Sequence, residues 1–338
     1  MVADYITFSH ARATQADALE AAIARIGAEV LRQQEAGGLR GPGPIFVGIG
    51  ASLAAASAAV WELRARGIHS WRLGAGDHPL PFPPSVHPII GISQSGKSTE
   101  TLAVLESIDP DLRYAVVNTD PSPVSQLATT TLSLGNIPDS YASTIGYTAT
   151  VAGLGMIAEA WDGGVLDAGW SALPDLFRWT ERTVGERAAE LAATFRGRST
   201  ADFVGAGPSV GSAEAGALLF REVARVHAAG MSTRQYLHGS MESAGDGVHV
   251  LFGEDRELEV ARMLADAGHS AILVTTAHVP EAPRLQTVRL PEVAPAQRAI
   301  LEALVMQILV EQVAVEAGVE IEEFVFFHTD TKVEGAAP

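Results

Sequence analysis

The sequence predicts an α/β protein built from two similar strand–helix units, and two observations predict it. Short apolar runs alternate with segments of helical periodicity, the pattern of βαβ units and of a parallel sheet covered on both faces. The alternation also begins twice from the same motif: Phe46-Val47-Gly48-Ile49-Gly50-Ala51-Ser52 lines up with Phe203-Val204-Gly205-Ala206-Gly207-Pro208-Ser209. A duplicated unit of this length makes two similar domains rather than a solenoid.

Residues 1–40 read as an N-terminal helix, with Ala, Leu, Ile and Val at helical spacing from Ala11 to Glu35. A Gly/Pro linker, Gly37 to Pro44, leads into a first domain at 41–168. Its elements are a strand at Ile45–Gly50, an Ala-rich helix through Arg66, strands at Pro88–Ile92 and Tyr114–Asn118, and a helix at Thr99–Ser107. Trp170 to Phe195 is helical with no strand-like run, so 169–198 reads as a connecting helix. The second domain, 199–320, carries strands at Ala201–Val204, Val248–Phe252 and Ala271–Thr275. Its helices are Ser212–His227, Glu257–Ala267 and Pro295–Ala317, the last with core positions Leu301, Leu304, Ile308 and Val315. In this register the strand at Tyr114 answers the strand at Ala271. Residues 321–338 form a C-terminal tail.

Composition excludes several classes. The 338 residues carry 40 Asp and Glu against 23 Lys and Arg, a formal net charge of -17. That surface repels a phosphate backbone, no basic patch offsets it, and a nucleic-acid partner is not expected. A phosphorylated substrate must then be held by local dipoles and hydroxyls. With no cysteine in the chain, disulfides, thiolate metal sites and a Cys nucleophile are out, which fits a cytoplasmic address. Met1 to His10 has no apolar core of a signal peptide, and Gly, Pro or charge breaks each apolar stretch short of a membrane span. No His-Glu-x-x-His or other ligand spacing appears, so neither a metal nor another cofactor is implied.

Each half opens with strand, Gly-x-Gly-x-Ser, helix. The glycines let the backbone turn tightly, and the helix N-terminus offers free N–H groups and a positive dipole end to a phosphate or hydroxyl. A dinucleotide fingerprint would need a third glycine where Leu53 and Val210 stand. Gly91-Ile92-Ser93-Gln94-Ser95-Gly96-Lys97-Ser98 satisfies the P-loop pattern at every fixed position. Against a nucleotide, its strand reads as the second of its unit rather than the first. The next strand also runs into Thr119-Asp120-Pro121, a turn, without a Walker B acid. Ser93, Ser95 and Ser98 instead make a hydroxyl cradle that needs no Mg²⁺.

Ile-Ser-Gln-Ser-Gly at 92–96 resembles the central motif of sugar-isomerase (SIS) domains, as in the isomerase half of glucosamine-6-phosphate synthase. The resemblance runs in register from about Pro44 to Lys332. It implies two tandem SIS domains, each a flavodoxin-like three-layer sandwich. It also implies that Ser93, Gln94, Ser95 and Ser98 bind a sugar phosphate, with Lys97 where the family is usually acidic. The family's Gly-Thr-Ser corresponds to Gly50, Ala51 and Ser52, one hydroxyl short at Ala51. Its Ala-Ser-Thr segment corresponds to Ala142, Ser143 and Thr144, followed by Ile145 in place of the synthase lysine.

By the same resemblance, Glu222 in Phe220-Arg221-Glu222 matches the group that moves a proton between C1 and C2 of an open-chain sugar. His238, sixteen residues on, matches a ring-opening histidine supplied by a neighbouring subunit, which implies a homodimer. Lys332 matches a lysine of a tail that closes over the site. The chemistry agrees: aldose–ketose interconversion needs a base at the α-carbon and a donor for the developing enediolate oxygen. Each residue also has a plainer reading. Glu222 could pair with Arg221 or Arg225 on its helix, His238 could be a loop histidine and Lys332 a solvated tail residue. His227, off the Glu222 face of the same helix, reads as structural.

The synthase's glutaminase domain and N-terminal Cys are absent, and its lysine three residues before the Glu is Leu219, so complete synthase activity is not expected without a separate ammonia-supplying subunit. The expected activities are isomerisation of a hexose 6-phosphate, deamination of an amino-sugar phosphate, or deglycation of a fructosamine phosphate, with a lean towards the last two. The alternative is a phosphosugar sensor without turnover. Sensors of that kind resemble a single SIS domain behind a helix-turn-helix, whereas one leading helix precedes two units here.

Overall fold

The computed structural model describes residues 5–322, 324–326, 328 and 330–333. The expectations for Met1 to His10 and for the tail at 321–338 fall partly on 1–4, 323, 327, 329 and 334–338, which lie outside the described residues. The chain forms two compact units, Met1–Ser171 with Val325–Pro338, and Ala172–Phe324. Each holds a five-stranded parallel sheet flanked by helices.

The first unit begins with α1 (Phe8–Ala13) and α2 (Gln15–Glu35). The single helix expected from Ala11 is two: Thr14, at φ -100 and ψ 0, interrupts it and donates its hydroxyl to the His10 carbonyl at 2.9 Å. There follow β1 (Ile45–Gly48), α3 (Ala51–Ala65), β2 (Trp71–Gly74), β3 (Ile89–Ser93), α4 (Thr99–Glu106), β4 (Arg113–Val117), α5 (Pro123–Leu127), β5 (Thr130–Ser133) and α6 (Ile145–Ala160). The sheet order is β2-β1-β3-β4-β5. Every residue of α6 is buried, and the helix packs on α2 and α3. A helix apolar all round has no amphipathic period, so it leaves no helical signature in the sequence.

The second unit runs through α7 (Leu173–Gly185), α8 (Ala188–Ala192), β6 (Thr200–Gly205), α9 (Val210–Val223), β7 (His227–Ser232), α10 (Thr233–Leu237), β8 (Val248–Phe252), α11 (Arg256–Asp266), β9 (Ser270–Thr275), β10 (Leu285–Arg289) and α12 (Pro295–Ala317). Its order, β7-β6-β8-β9-β10, is the same as that of the first sheet. β4 and β9 accordingly hold the same place, fourth in chain order and fourth across the sheet.

Two expectations are corrected here. The helix expected to reach His227 stops at Val223, where the Ala224 and Val226 amides both donate to the Phe220 carbonyl at 3.2 Å. Arg225 then reverses the chain at φ 58, and His227 opens the edge strand β7. Val315, two residues beyond the buried Val313, falls on the outer face of α12 and is 65% exposed, whereas Leu301, Leu304 and Ile308 are buried as expected. Among the described residues no helix is long and apolar enough to cross a membrane.

Candidate functional site

In the first sheet β1 and β3 are neighbours although β2 lies between them in sequence, so the strand order reverses there. Open α/β sheets bind ligands outside the carboxyl ends of the strands at such a switch point. Both glycine- and serine-bearing segments sit at this place. After β1 the chain turns at Gly50, which caps α3, and Ala51 and Ser52 occupy its first positions, partly exposed. After β3 the segment Ser93 to Ser98 forms a tight loop into α4. The strand ahead of this loop is third in its unit, not second, because β2 intervenes.

The loop is held from several sides. The Ser93 and Ser98 hydroxyls lie 2.9 Å apart, and the Gly96 amide donates to the Ser93 carbonyl at 3.2 Å. The Gln94 carbonyl accepts from the Asn118 and Thr119 amides at 3.2 and 3.0 Å, and the Gly96 carbonyl from the Val124 amide at 3.0 Å. Gly96 sits at φ 64, and a Cβ there would overlap the Ser122 hydroxyl, so only glycine makes this turn. Ser95 is partly exposed between these fixed points. The described part of the C-terminal segment lies along the loop's far end. Lys332 bridges Ser98, the Val333 amide donates to the Lys97 carbonyl at 3.0 Å, and the Thr99 hydroxyl donates to the Asp330 carbonyl at 2.9 Å. Val333 also packs on the core that includes Ile45, Val47 and Ile89. The Lys332 side chain is exposed.

Sequence reasoning missed Asp139. Its carboxylate joins Gln94 to Ser143, accepting from Gln94 Nε2 at 3.2 Å and Ser143 Oγ at 2.6 Å on the same oxygen. The available signal is an acid shortly ahead of a helix start, a common capping pattern, which does not reveal the reach to Gln94.

Glu222 and His238 belong to the second unit. Glu222 lies in the last turn of α9, partly buried. Burial pushes its carboxyl up to about 7, against the pull of the Arg225 guanidinium. Arg225 donates to the Glu222 backbone carbonyl. His238 caps the C-terminus of α10 and is exposed. α10 is anchored by the buried Tyr236, whose hydroxyl is 3.0 Å from His249 Nδ1, itself 3.3 Å from Asp202. Among the described residues no hydrogen bond joins Glu222 to His238. His227, on β7, is exposed.

The second Gly-x-Gly-x-Ser turn does not offer its hydroxyl to a ligand, which corrects the expectation that both turns are alike. Ser209 and Ser212 donate to the buried Glu302 at 2.8 and 2.5 Å, and Arg298 Nε reaches the same carboxylate at 2.7 Å. Beside them, after β8, Glu254 accepts from the Thr275 and Thr276 hydroxyls, both at 2.8 Å, from the Thr276 and Ala277 amides, and from Arg298. Internal carboxylates occupy the donors at this switch point.

No family model matches the chain. Two curated relatives share sequence with it, both glutamine–fructose-6-phosphate aminotransferases (isomerizing). That of Thermococcus kodakarensis is 27% identical over 249 residues, 68% of this chain and 41% of the relative. That of Pyrobaculum aerophilum is 33% identical over 156 residues, 44% of this chain and 26% of the relative. The chain thus spans well under half the length of either. Among solved structures, the C-terminal domain of glucosamine-fructose-6-phosphate aminotransferase from Francisella tularensis superposes with a TM-score of 0.80 at 16% identity, covering 94% of this chain and 97% of that one. Tagatose-6-phosphate ketose/aldose isomerase from Escherichia coli gives 0.77 at 16% identity, covering 95% and 96%. Glucosamine-6-phosphate deaminase from Thermotoga maritima gives 0.72 at 16% identity, covering 93% and 96%. At these identities the structures establish a shared fold.

Proposed function

We propose that the chain is a phosphosugar enzyme of two tandem sugar-isomerase units that moves a proton between C1 and C2 of a hexose or amino-sugar 6-phosphate. The observation that carries this reading is the serine loop after β3, fixed by Gly96 at the switch point of the first sheet. Such a loop supplies hydroxyls and N–H groups to a phosphate without a cationic surface, which the net charge of -17 makes necessary. Ser93, Ser95 and Ser98, with Gly50, Ala51 and Ser52, hold the phosphorylated end.

Glu222 is the base in this reading. Its carboxylate takes the C2 proton of the open-chain aldose, and the C–H electrons form the C1–C2 double bond. The C1 oxygen gains a proton, giving an enediol; the carbon proton then returns to C1 as the C2 hydroxyl gives up its own, which leaves the C2 carbonyl of the ketose. A carboxyl with proton affinity near neutrality both takes and returns that proton readily. With an amine at C2 the same transfer gives an imine that water opens, releasing ammonia. From a fructosamine phosphate the corresponding sequence releases an amino acid. His238 assists ring opening from the neighbouring subunit of a homodimer, and Lys332 completes the site from the tail. A purely sensory role would leave the raised proton affinity of Glu222 without a use.

Two experiments test this reading. The double substitution Ser95→Ala, Ser98→Ala should weaken binding of glucose 6-phosphate, at about 1.5–3 kcal/mol for each charge-assisted hydrogen bond lost. Unchanged affinity would remove the loop from the site, and thermal stabilisation by Mg-ATP would favour the nucleotide reading instead. Mixing Glu222→Gln chains with His238→Ala chains should restore part of the activity, because one hybrid site regains both groups. Verified heterodimers without activity would return His238 to its own chain's site.

A further inference from the structure

Asp139 is partly buried, and the proposed chemistry makes no use of it. Its Oδ1 accepts from the Thr144 amide at 3.0 Å and the Thr144 hydroxyl at 2.8 Å. Its Oδ2 accepts from Ser143 Oγ at 2.6 Å, the Gly146 amide at 3.0 Å and Gln94 Nε2 at 3.2 Å. The amides and the carboxamide nitrogen can only donate, so these contacts take up the carboxylate's acceptor sites. Burial raises its proton affinity, and the donors from Ser143 and Thr144 work against that rise.

The consequence falls on Gln94 and Ser143. Which end of a Gln carboxamide is nitrogen follows from its hydrogen-bond partners. Facing a carboxylate, Gln94 must turn its NH₂ to Asp139, which leaves Oε1 as the end available to a ligand. Ser143 has likewise committed its only proton to Asp139 and retains lone pairs. Gly146 is part of the same device: a Cβ there would overlap Gln94 Nε2 and crowd Asp139 Oδ2, so the glycine leaves the space in which the amide meets the carboxylate.

We infer that Asp139 is a positioning residue that makes Gln94 and Ser143 a hydrogen-bond acceptor pair for a hydroxyl of the substrate, so that these two side chains read the sugar and not the phosphate. The inference rests on the proposed phosphosugar site and assigns a different task to part of it. The serine loop binds the anion, and the Asp139 cluster discriminates polyhydroxylated phosphates from bare ones. A site built to pair with a hydroxyl rejects the analogue that lacks it, because its buried polar groups are then left unpaired.

The test compares glucitol 6-phosphate with n-hexyl phosphate, which has the same carbon count and no hydroxyls, by calorimetric titration of the full chain. Wild type should prefer glucitol 6-phosphate. Asp139→Asn places an NH₂ among donors and should weaken that ligand about tenfold while leaving n-hexyl phosphate within about twofold. Gly146→Ala should do the same by displacing the flexible end of Gln94, and Gln94→Met removes the acceptor while leaving the Ser143, Thr144 and Gly146 donors to Asp139 in place. These two variants keep the test valid if Asp139→Asn does not fold. A general packing role would weaken both ligands alike, and that result, or an unchanged preference in the folded variants, would overturn the inference while sparing the phosphate site. Failure of wild type to bind either ligand would overturn the proposed site and the inference with it.

Discussion

Replacing Glu222 with Gln is expected to lower turnover by about a hundred- to ten-thousandfold, the usual loss on removing a general base. Gln keeps the shape and reach of Glu but cannot accept a proton, so phosphosugar affinity should change little. The pH dependence has a defined sign. Wild-type kcat/KM should rise with pH through about 7, as the Glu222 carboxyl ionises. Stability should move the opposite way. The native state binds this proton more tightly than the unfolded chain, so the contribution is fully present below the unfolded carboxyl value and is lost as pH rises through about 7. Glu222→Gln should therefore be more stable than wild type at pH 8 and not at pH 4. The difference is up to about 3 kcal/mol before allowance for the water that reaches this partly exposed group. Thermal melts of both proteins across that range check the sign.

Arg298→Met should be the more damaging change to the fold, by about 3–5 kcal/mol. Glu302 is fully buried, and Arg298 is the guanidinium that pairs both it and Glu254. Removing that cation leaves a buried carboxylate with, among the described residues, only the Ser209 and Ser212 hydroxyls as donors. Adding Glu302→Gln should recover most of the loss, because a neutral amide accepts from one serine hydroxyl through its oxygen and donates to the other through its NH₂. Denaturant unfolding of the single and double variants measures the coupling. A single variant within about 1 kcal/mol of wild type would show that solvent or local rearrangement replaces the guanidinium.

Legibility of the strands followed burial. β1, β3, β8 and β9 are buried along their whole length, and their Val, Ile, Leu and Phe runs stand out in the sequence. β2, β5, β7 and β10 lie at the sheet edges, carry exposed residues such as Trp71 and His227 and the partly exposed Thr130, and show no continuous apolar run. The missed β7 also explains the overlong helix assigned up to His227. The loop at Ser93 to Ser98 was legible because its chemistry is local: glycine at a positive φ and hydroxyls at short spacing. Asp139 was not, since its contact with Gln94 spans 45 residues. Nor was the closure of the second Gly-x-Gly-x-Ser turn, for Ser209 and Glu302 are 93 residues apart. The raised proton affinity of Glu222 comes from burial, which its helix periodicity alone does not fix.

Solvent exchange at C2 tests the central proposal most directly. Glucose 6-phosphate and glucosamine 6-phosphate are incubated in D₂O with wild type or Glu222→Gln, and loss of the C2 proton signal is followed by NMR. The expected result is exchange by wild type with at least one of the two, whichever product is released, and none above background with Glu222→Gln. Exchange by Glu222→Gln at the wild-type rate would make Glu222 a structural helix residue, with His238 the next group to examine.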